Sequence, residues 1–471
     1  MVGGAEVWAR KALASVCVRT RPGLGILAIA FLVGVFGKCA TADETLPNGI
    51  TPPSIATSLP YNGDPTGLRA LMASYGATFN FIYTNDELGN VNGGLRRGFI
   101  NQGKLEYNMT VDFEKLIGWK GLSFYTNGFL IHNTGRIRRD YVGGINTIAA
   151  IEAVPTGRLS ELWLEQSFWN GGANVRVGQL AADVDFFYAD AAIMFLQTDW
   201  PTITAAALPS GGPAYPLSTP GARVRVNPNE HLSVLAAVFN GDPAGPGTPG
   251  DEQLRNKYGV NFRLKDSPFV IAEAQFRNNR EKTATGLATV LKFGAWAHFG
   301  RFDDNRFADD GTLLADPDGS GRPLKRKTDN GLYGVFEQQL YRPQGGDANS
   351  GITVFGLASG SPQDRNLINF WYQTGIVFAG LIPGRPDDKF GAIYEYARYS
   401  NSVRGAEADE IALTGVPQVI QDYEANLEIN YLFQIVPGWT LQPVLTYVWH
   451  PDGGASAVDA LVIGARSIWH Y

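Results

Sequence analysis

The chain has 471 residues, of which 18% are charged and 12% aromatic, with 56 glycines and a formal charge of −6. That length allows two or three soluble domains or one large barrel, and the acidic balance gives no broad attraction for nucleic acid. Cys17 and Cys39 are the two cysteines, so the chain beyond them has no thiol for a disulfide, a metal or a nucleophile.

The N-terminus reads as an export signal. Arg10, Lys11, Arg19 and Arg21 precede an uncharged run from Leu24 to Phe36, and Ala40-Thr41-Ala42 supplies small residues at the usual spacing. The run rises only about 20 Å as a helix, too short to span a bilayer. Cleavage is expected after Ala42, which makes residues 1–42 a removed segment. The loss of five basic residues and one acidic one leaves 34 Lys+Arg against 44 Asp+Glu, a balance of −10. Residues 43–66 hold Pro47, Pro52, Pro53, Pro60 and Pro65 and read as a loose arm.

Strand-like segments follow from Tyr75. Tyr75, Ala77, Phe79, Phe81 and Tyr83 alternate with Gly76, Thr78, Asn80 and Thr84. In the next segment Leu105, Tyr107, Met109 and Val111 alternate with Lys104, Glu106, Asn108, Thr110 and Asp112. Glu106 and Asp112 would be costly on a dry core face but not on a watered lumen wall. Further segments are expected near 121–132, 159–168, 173–180, 221–226, 231–239, 257–264, 269–277 and 289–299. The series runs on through 331–340, 351–358, 369–379, 388–399, 422–432, 438–449 and 459–471. These make seventeen, whereas a single-chain bacterial barrel needs an even number. The expectation is therefore an all-β transmembrane antiparallel barrel of 16 strands over residues 67–471, with 18 as the fallback.

The connections alternate in length. Trp169-Asn170-Gly171-Gly172, Asn227-Pro228-Asn229-Glu230, Lys265-Asp266-Ser267-Pro268 and the stretch around Pro437-Gly438 are turn-like. The stretches 133–158, 181–220, 240–256, 300–330 and 400–421 are long and polar. Short turns on one side and long loops on the other fit an outer-membrane barrel. The last strand, Asp459 to Tyr471, ends on an aromatic and is expected to pair with Tyr75–Thr84 to close the ring. Its Arg466 is expected to be solvated lumen wall.

No catalytic constellation stands out. The five histidines, His132, His231, His298, His450 and His470, have no metal-ligand spacing, and there is no nucleophile elbow or phosphate loop. The pairs Glu161/Glu165, Asp183/Asp185 and Glu424/Glu428 could supply a glycosidase acid and nucleophile. Acids that face water on alternate strand positions explain them with less. Arg176, Gln179, Arg223, Arg225, Glu273, Gln275, Lys292, Trp296 and His298 likewise alternate with apolar residues. A pore so lined offers sugar hydroxyls both donors and acceptors, with aromatic faces for stacking.

The stretch 159–241 also carries a resemblance. It contains Trp163-Leu164-Glu165-Gln166, Arg176-Val177-Gly178-Gln179, Asp183-Val184-Asp185-Phe186-Phe187, Tyr215-Pro216-Leu217, Pro220-Gly221-Ala222-Arg223 and Val238-Phe239-Asn240-Gly241-Asp242-Pro243. With Val111-Asp112-Phe113-Glu114-Lys115-Leu116, Lys292-Phe293-Gly294-Ala295-Trp296-Ala297-His298, Gly384-Arg385-Pro386-Asp387-Asp388 and Leu441-Gln442-Pro443, it resembles the carbohydrate-selective porins, the OprB-type sugar porins of Gram-negative bacteria. The resemblance implies a monomeric sixteen-stranded barrel in outer-membrane lipid, inserted by the barrel assembly machinery and passing monosaccharides passively without a cofactor or metal. It implies a constriction where arginines, acids and aromatics meet. Glu165, Arg176 and Arg223 carry over from matching motifs, and Asp183 and Asp185 open a connection that folds inward in porins. A porin for small anions or organic acids, and a secreted all-β glycoside hydrolase, are the alternatives.

Overall fold

The computed structural model describes residues 46, 48–197, 208–247, 250–281 and 284–471. The expected export signal and both cysteines lie outside the described residues. Among the described residues, no helix is long and apolar enough to cross a membrane. The wall is made of strands instead.

Sixteen antiparallel strands close on themselves in sequence order. β1 (Ala77–Asn92), β2 (Gly98–Asp112), β3 (Leu122–Asn133) and β4 (Thr156–Phe168) come first. β5 (Ala173–Leu180), β6 (Thr219–Val226), β7 (Leu232–Asn240) and β8 (Pro268–Asn278) follow. Next are β9 (Thr289–Ala308), β10 (Pro323–Tyr341), β11 (Gly351–Gly360) and β12 (Ile368–Ala379). The ring ends with β13 (Lys389–Tyr399), β14 (Tyr423–Val436), β15 (Trp439–Trp449) and β16 (Ala460–His470). Among the described residues three α-helices accompany them: α1 (Leu68–Ser74), α2 (Phe113–Ile117) and α3 (Asn401–Thr414).

The alternation in the sequence sorts the two faces. Val177, Val224, Val238, Leu291, Phe293 and Phe336 are exposed on the outside, where lipid replaces water. Glu106, Glu273, Gln275, Lys292, Asn426 and Glu428 point inward and are buried. Water-facing lumen wall is therefore the wrong description of Glu106. It is buried, lies 3.4 Å from Lys104 on its own strand and accepts from Asn127 on β3, so neighbours on the wall itself take up its charge. Asp112 instead caps α2, accepting from the amides of Glu114 and Lys115.

The seventeenth expected strand is the one to remove. Residues 257–264 are not in a strand; they belong to the β7–β8 connection. Lys265-Asp266-Ser267-Pro268 accordingly sits at the end of that long connection and is not a turn between two strands. The expected loop 300–330 shrinks to 309–322, because β9 and β10 rise as a hairpin of 20 and 19 residues. The expected loop 400–421 contains α3, whose start Ser400 caps by accepting from Val403. The arm is ordered where described: Ser54 caps a short helical turn, and α1 lies against the start of β1.

The seam pairs β1 with β16 from Ile82↔His470 up to Asn92↔Leu461. Asp86 and Arg466 face each other in register, and the guanidinium reaches both carboxylate oxygens at 2.7 and 2.9 Å. Arg466 is thus not solvated wall; it is one half of a buried ion pair that bolts the last strand to the first. Outside, Trp469 stacks between Tyr83 and Trp439 at 5.6 and 6.0 Å. The terminal Tyr471 lies under the Arg69 guanidinium at 5.2 Å and donates its hydroxyl to the Gly63 carbonyl. Removing one member of a buried ion pair costs about 3–5 kcal/mol. Asp86→Ala is expected to lower the temperature at which the folded band converts to the unfolded one on semi-native gels. The double change Asp86→Leu with Arg466→Met is expected to recover most of the loss.

Candidate functional site

The lumen is narrowed by the β5–β6 connection, described over residues 181–197 and 208–218, whose contacts reach from the β5 side to β14 on the wall opposite. Its backbone amides are held by glutamates that point inward from distant strands. Glu273 on β8 accepts from Phe187 at 2.9 Å. Glu337 on β10 accepts from Asp190 and Ala191 at 2.8 and 3.0 Å, one to each oxygen. Glu428 on β14 accepts from Leu196 and Gln197 at 2.9 Å each. Lys292 on β9 and Gln442 on β15 donate to the carbonyls of Tyr188 and Met194. A buried carboxylate is tolerable when each oxygen accepts such a donor. The glutamates and the connection therefore satisfy one another.

Aromatic packing fills the space beneath. Phe187 lies 4.5 Å from the Tyr333 ring and 5.8 Å from Trp371, and Phe195 lies 6.0 Å from Phe355. A second inward connection, residues 134–155 between β3 and β4, meets the first where the Ala150 amide donates to the Leu196 carbonyl at 2.9 Å. Glu424 on β14 pins it through the amides of Ile145 and Asn146, both at 2.8 Å. The pair Glu424/Glu428 thus consists of two anchors, one for each connection.

The structure brings four of the five sequence-selected residues together. Glu165, Arg176 and Arg223 are neighbours across β4, β5 and β6 in one row of the wall. Glu165 Oε2 lies 3.0 Å from both arginines. Asp185, from the crossing connection, closes the cluster at 3.2 Å from Arg176, 3.1 Å from Arg223 and 3.2 Å from Arg225. Arg176 also lies 3.9 Å above the Trp163 ring, and Arg223 donates to Asn174. All four are buried, with the two arginine side chains only 1–2% exposed. In this state the cluster clamps the connection to the wall. Burial alone would raise the Asp185 pKa, but Arg223, Arg176 and Arg225 together hold it well below the usual carboxylate range. Its contribution to the clamp is therefore present above the ordinary carboxyl pKa of 3.8 and is lost only in stronger acid.

Asp183 lies elsewhere. It accepts from the Tyr215 amide at 2.8 Å and lines a cavity of about 480 Å³ between the two inward connections. Burial pushes its carboxyl up to about 6. The sign is opposite to that of Asp185: its stabilising contribution is full below pH 3.8 and is lost as pH rises through about 6. Lys104, Arg138, Glu152, Tyr188 and Tyr215 share the cavity. The Tyr215 hydroxyl donates to the Ile151 carbonyl at 3.0 Å, tying the two connections across it. Sequence reasoning did not select these five. Lys104 and Tyr215 stood in quoted stretches, but nothing in period-two alternation says which loop a wall residue will meet. Among the described residues, no group of three or more His, Cys, Asp or Glu side chains could hold a metal ion.

Residues 96–471 match the carbohydrate-selective porin, OprB family. The chain belongs to that family. It is therefore a sugar-selective channel of the outer membrane, and family and fold together describe a channel rather than an enzyme. Porin B of Pseudomonas aeruginosa is 24% identical to it, over 95% of this chain and 98% of that protein. A structure of Pseudomonas putida OprB at high pH superposes with a TM-score of 0.78 at 20% identity, covering 87% of this chain and 98% of that one. A low-pH structure of the same protein gives 0.52 at 16% identity, with 87% and 97% covered.

Asp185→Asn leaves three guanidinium groups facing one remaining carboxylate. The change is expected to cost about 3–5 kcal/mol in denaturant unfolding of the detergent-solubilised porin. Arg225→Gln, at the more exposed edge of the cluster, is expected to cost about 1 kcal/mol or less.

Proposed function

We propose that the porin is a passive channel for monosaccharides of the glucose type, and that they pass the narrowest point through the cavity between the two inward connections. The observation that carries this is the composition of that cavity. Lys104 and Arg138 offer donors, Asp183 and Glu152 offer acceptors, and Tyr188 and Tyr215 offer ring faces. A volume of about 480 Å³ suits one small solute, and pockets for drug-sized ligands run about 300–1,000 Å³. A lining that mixes donors, acceptors and ring faces favours weak, repeated contacts with hydroxyls, which suits conduction. Glu165, Arg176, Asp185 and Arg223 act on this path indirectly, by fixing the connection that bears Asp183.

Selectivity for small anions is less well supported, because Glu165 and Asp185 lie against the arginines that would form a cationic ring. Residues 1–42 serve as a cleaved export signal and residues 67–471 as the barrel, which the assembly machinery inserts as a monomer.

Proteoliposome swelling with glucose and with gluconate separates the sugar and anion readings. Faster glucose entry is expected; equal rates for the two solutes would overturn sugar selectivity. In the same assay Lys104→Ala is expected to raise the half-saturating glucose concentration several-fold while leaving the saturating rate nearly unchanged. Glucose affinity should also rise as pH passes upward through about 6, where Asp183 becomes an acceptor on both oxygens. Asp183→Asn should flatten that step.

A further inference from the structure

The stretch 257–264 looks like a strand in the sequence and is not one, and the reason lies in the height of the wall. β5, β6 and β7 have 8, 8 and 9 residues, whereas the neighbouring β4 has 13. Eight strand residues rising ~3.3 Å each and tilted ~40° reach roughly 20 Å, short of the ~25 Å apolar band of an outer-membrane barrel. The crossing connection leaves from the top of β5 and returns to the top of β6, so it heightens the inside and not the outside. A notch remains in the wall between β4 and β8.

Residues 256–264 run along that notch. The Leu159 amide on β4 donates to the Tyr258 carbonyl at 3.0 Å, and Thr156 Oγ1 donates to the Lys257 carbonyl at 3.1 Å. Arg158 and Gln179 donate to the carbonyls of Asn256 and Gly259 at 3.1 and 2.8 Å. Gly259 has φ +69°, and a Cβ there would stand 1.9 Å from the Leu159 carbonyl oxygen, so only glycine allows the approach. At the other end Arg263 holds Asp266 at 2.7 and 2.9 Å, and Asp266 is bound to Asn240 at the top of β7. Between these anchors Tyr258, Val260, Phe262 and Leu264 project outward at every second position. They are 61, 56, 48 and 78% exposed. The row continues the lipid-facing surface of Leu164, Val177 and Val238 on the strands beside it.

We infer that residues 257–264 of the β7–β8 connection are a lipid-contacting part of the wall, seated at the acyl–headgroup boundary of the outer leaflet. The four apolar side chains enter the acyl layer. The backbone amides of 260–264, which have no ladder partner, stay at headgroup depth, where water and headgroup oxygens satisfy them. Lys257 and Lys265 flank the row and suit lipid phosphates.

The test places a nitroxide at position 262 through Phe262→Cys, in a full chain carrying Cys17→Ala and Cys39→Ala, reconstituted in phosphatidylglycerol-containing vesicles. Val260→Cys provides a second site should the first fail to fold. Val238→Cys on β7 and Glu252→Cys in the same connection are the lipid and water references. Collision with oxygen relative to a water-soluble nickel chelate is expected to be several-fold higher at 262 and 260 than at 252, and to match 238. A ratio at 262 and 260 equal to that at 252 would overturn the inference. So would protection from both reagents, which would signal a protein neighbour at the row.

Discussion

The constraint on which the rest depends is the need of buried carboxylates and loop amides for each other. A loop that crosses a barrel lumen brings backbone N–H groups out of water, and inward glutamates bring charge into a crowded space; each would be costly alone. Here Glu337 and Glu428 each take two consecutive amides, Glu273 takes one, and Glu424 anchors the second connection. The anchors come from β8, β10 and β14, so the crossing segment is held at successive points around the ring, the last of them on the wall opposite its origin. The Asp185 cluster holds it at the near side. The channel that remains is what these two sets of contacts leave open.

The barrel makes that arrangement possible because closure removes every strand edge and leaves the inner face free to carry polar side chains. The Asp86–Arg466 pair shows the same economy at the seam: one inward pair, in register, where the two chain ends meet. Outside, Trp469 and Tyr471 place aromatics beside Tyr83, Trp439 and Phe81. One strand therefore closes the ring on its inner face and sits in the aromatic zone on its outer face.

Much of this fold was legible in the sequence. Period-two alternation identified the strands, and the terminal aromatic strand pointed to the first strand as its partner, although the ladder runs over Ile82–Asn92 and meets the expected Tyr75–Thr84 only at its end. The error at 257–264 arose because Tyr258, Val260, Phe262 and Leu264 alternate for the same reason that strand residues do: one side meets lipid. Alternation reports an environment, and ladder pairing is a separate matter. The tall β9–β10 hairpin was hidden because Asp303, Asp304, Lys325 and Arg326 look like loop residues until their cross-strand ion pairs are seen. At the site, the row Glu165–Arg176–Arg223 follows from strands of fixed register, so nearby sequence sufficed to gather it. The union of Glu428 with Leu196 and Gln197 joins residues more than two hundred positions apart, and no local pattern encodes that.

The most direct test of the account is single-channel recording in planar bilayers on a Glu337→Ala/Glu428→Ala double variant, with glucose titrated into the bath. Retention of the folded, heat-modifiable band would establish that the barrel itself persists. The account predicts larger conductance steps and weaker interruption of the current by glucose, because the crossing connection has lost its far anchors. Conductance and glucose interruption identical to those of the unmodified porin would contradict the claim that these carboxylates set the width of the channel.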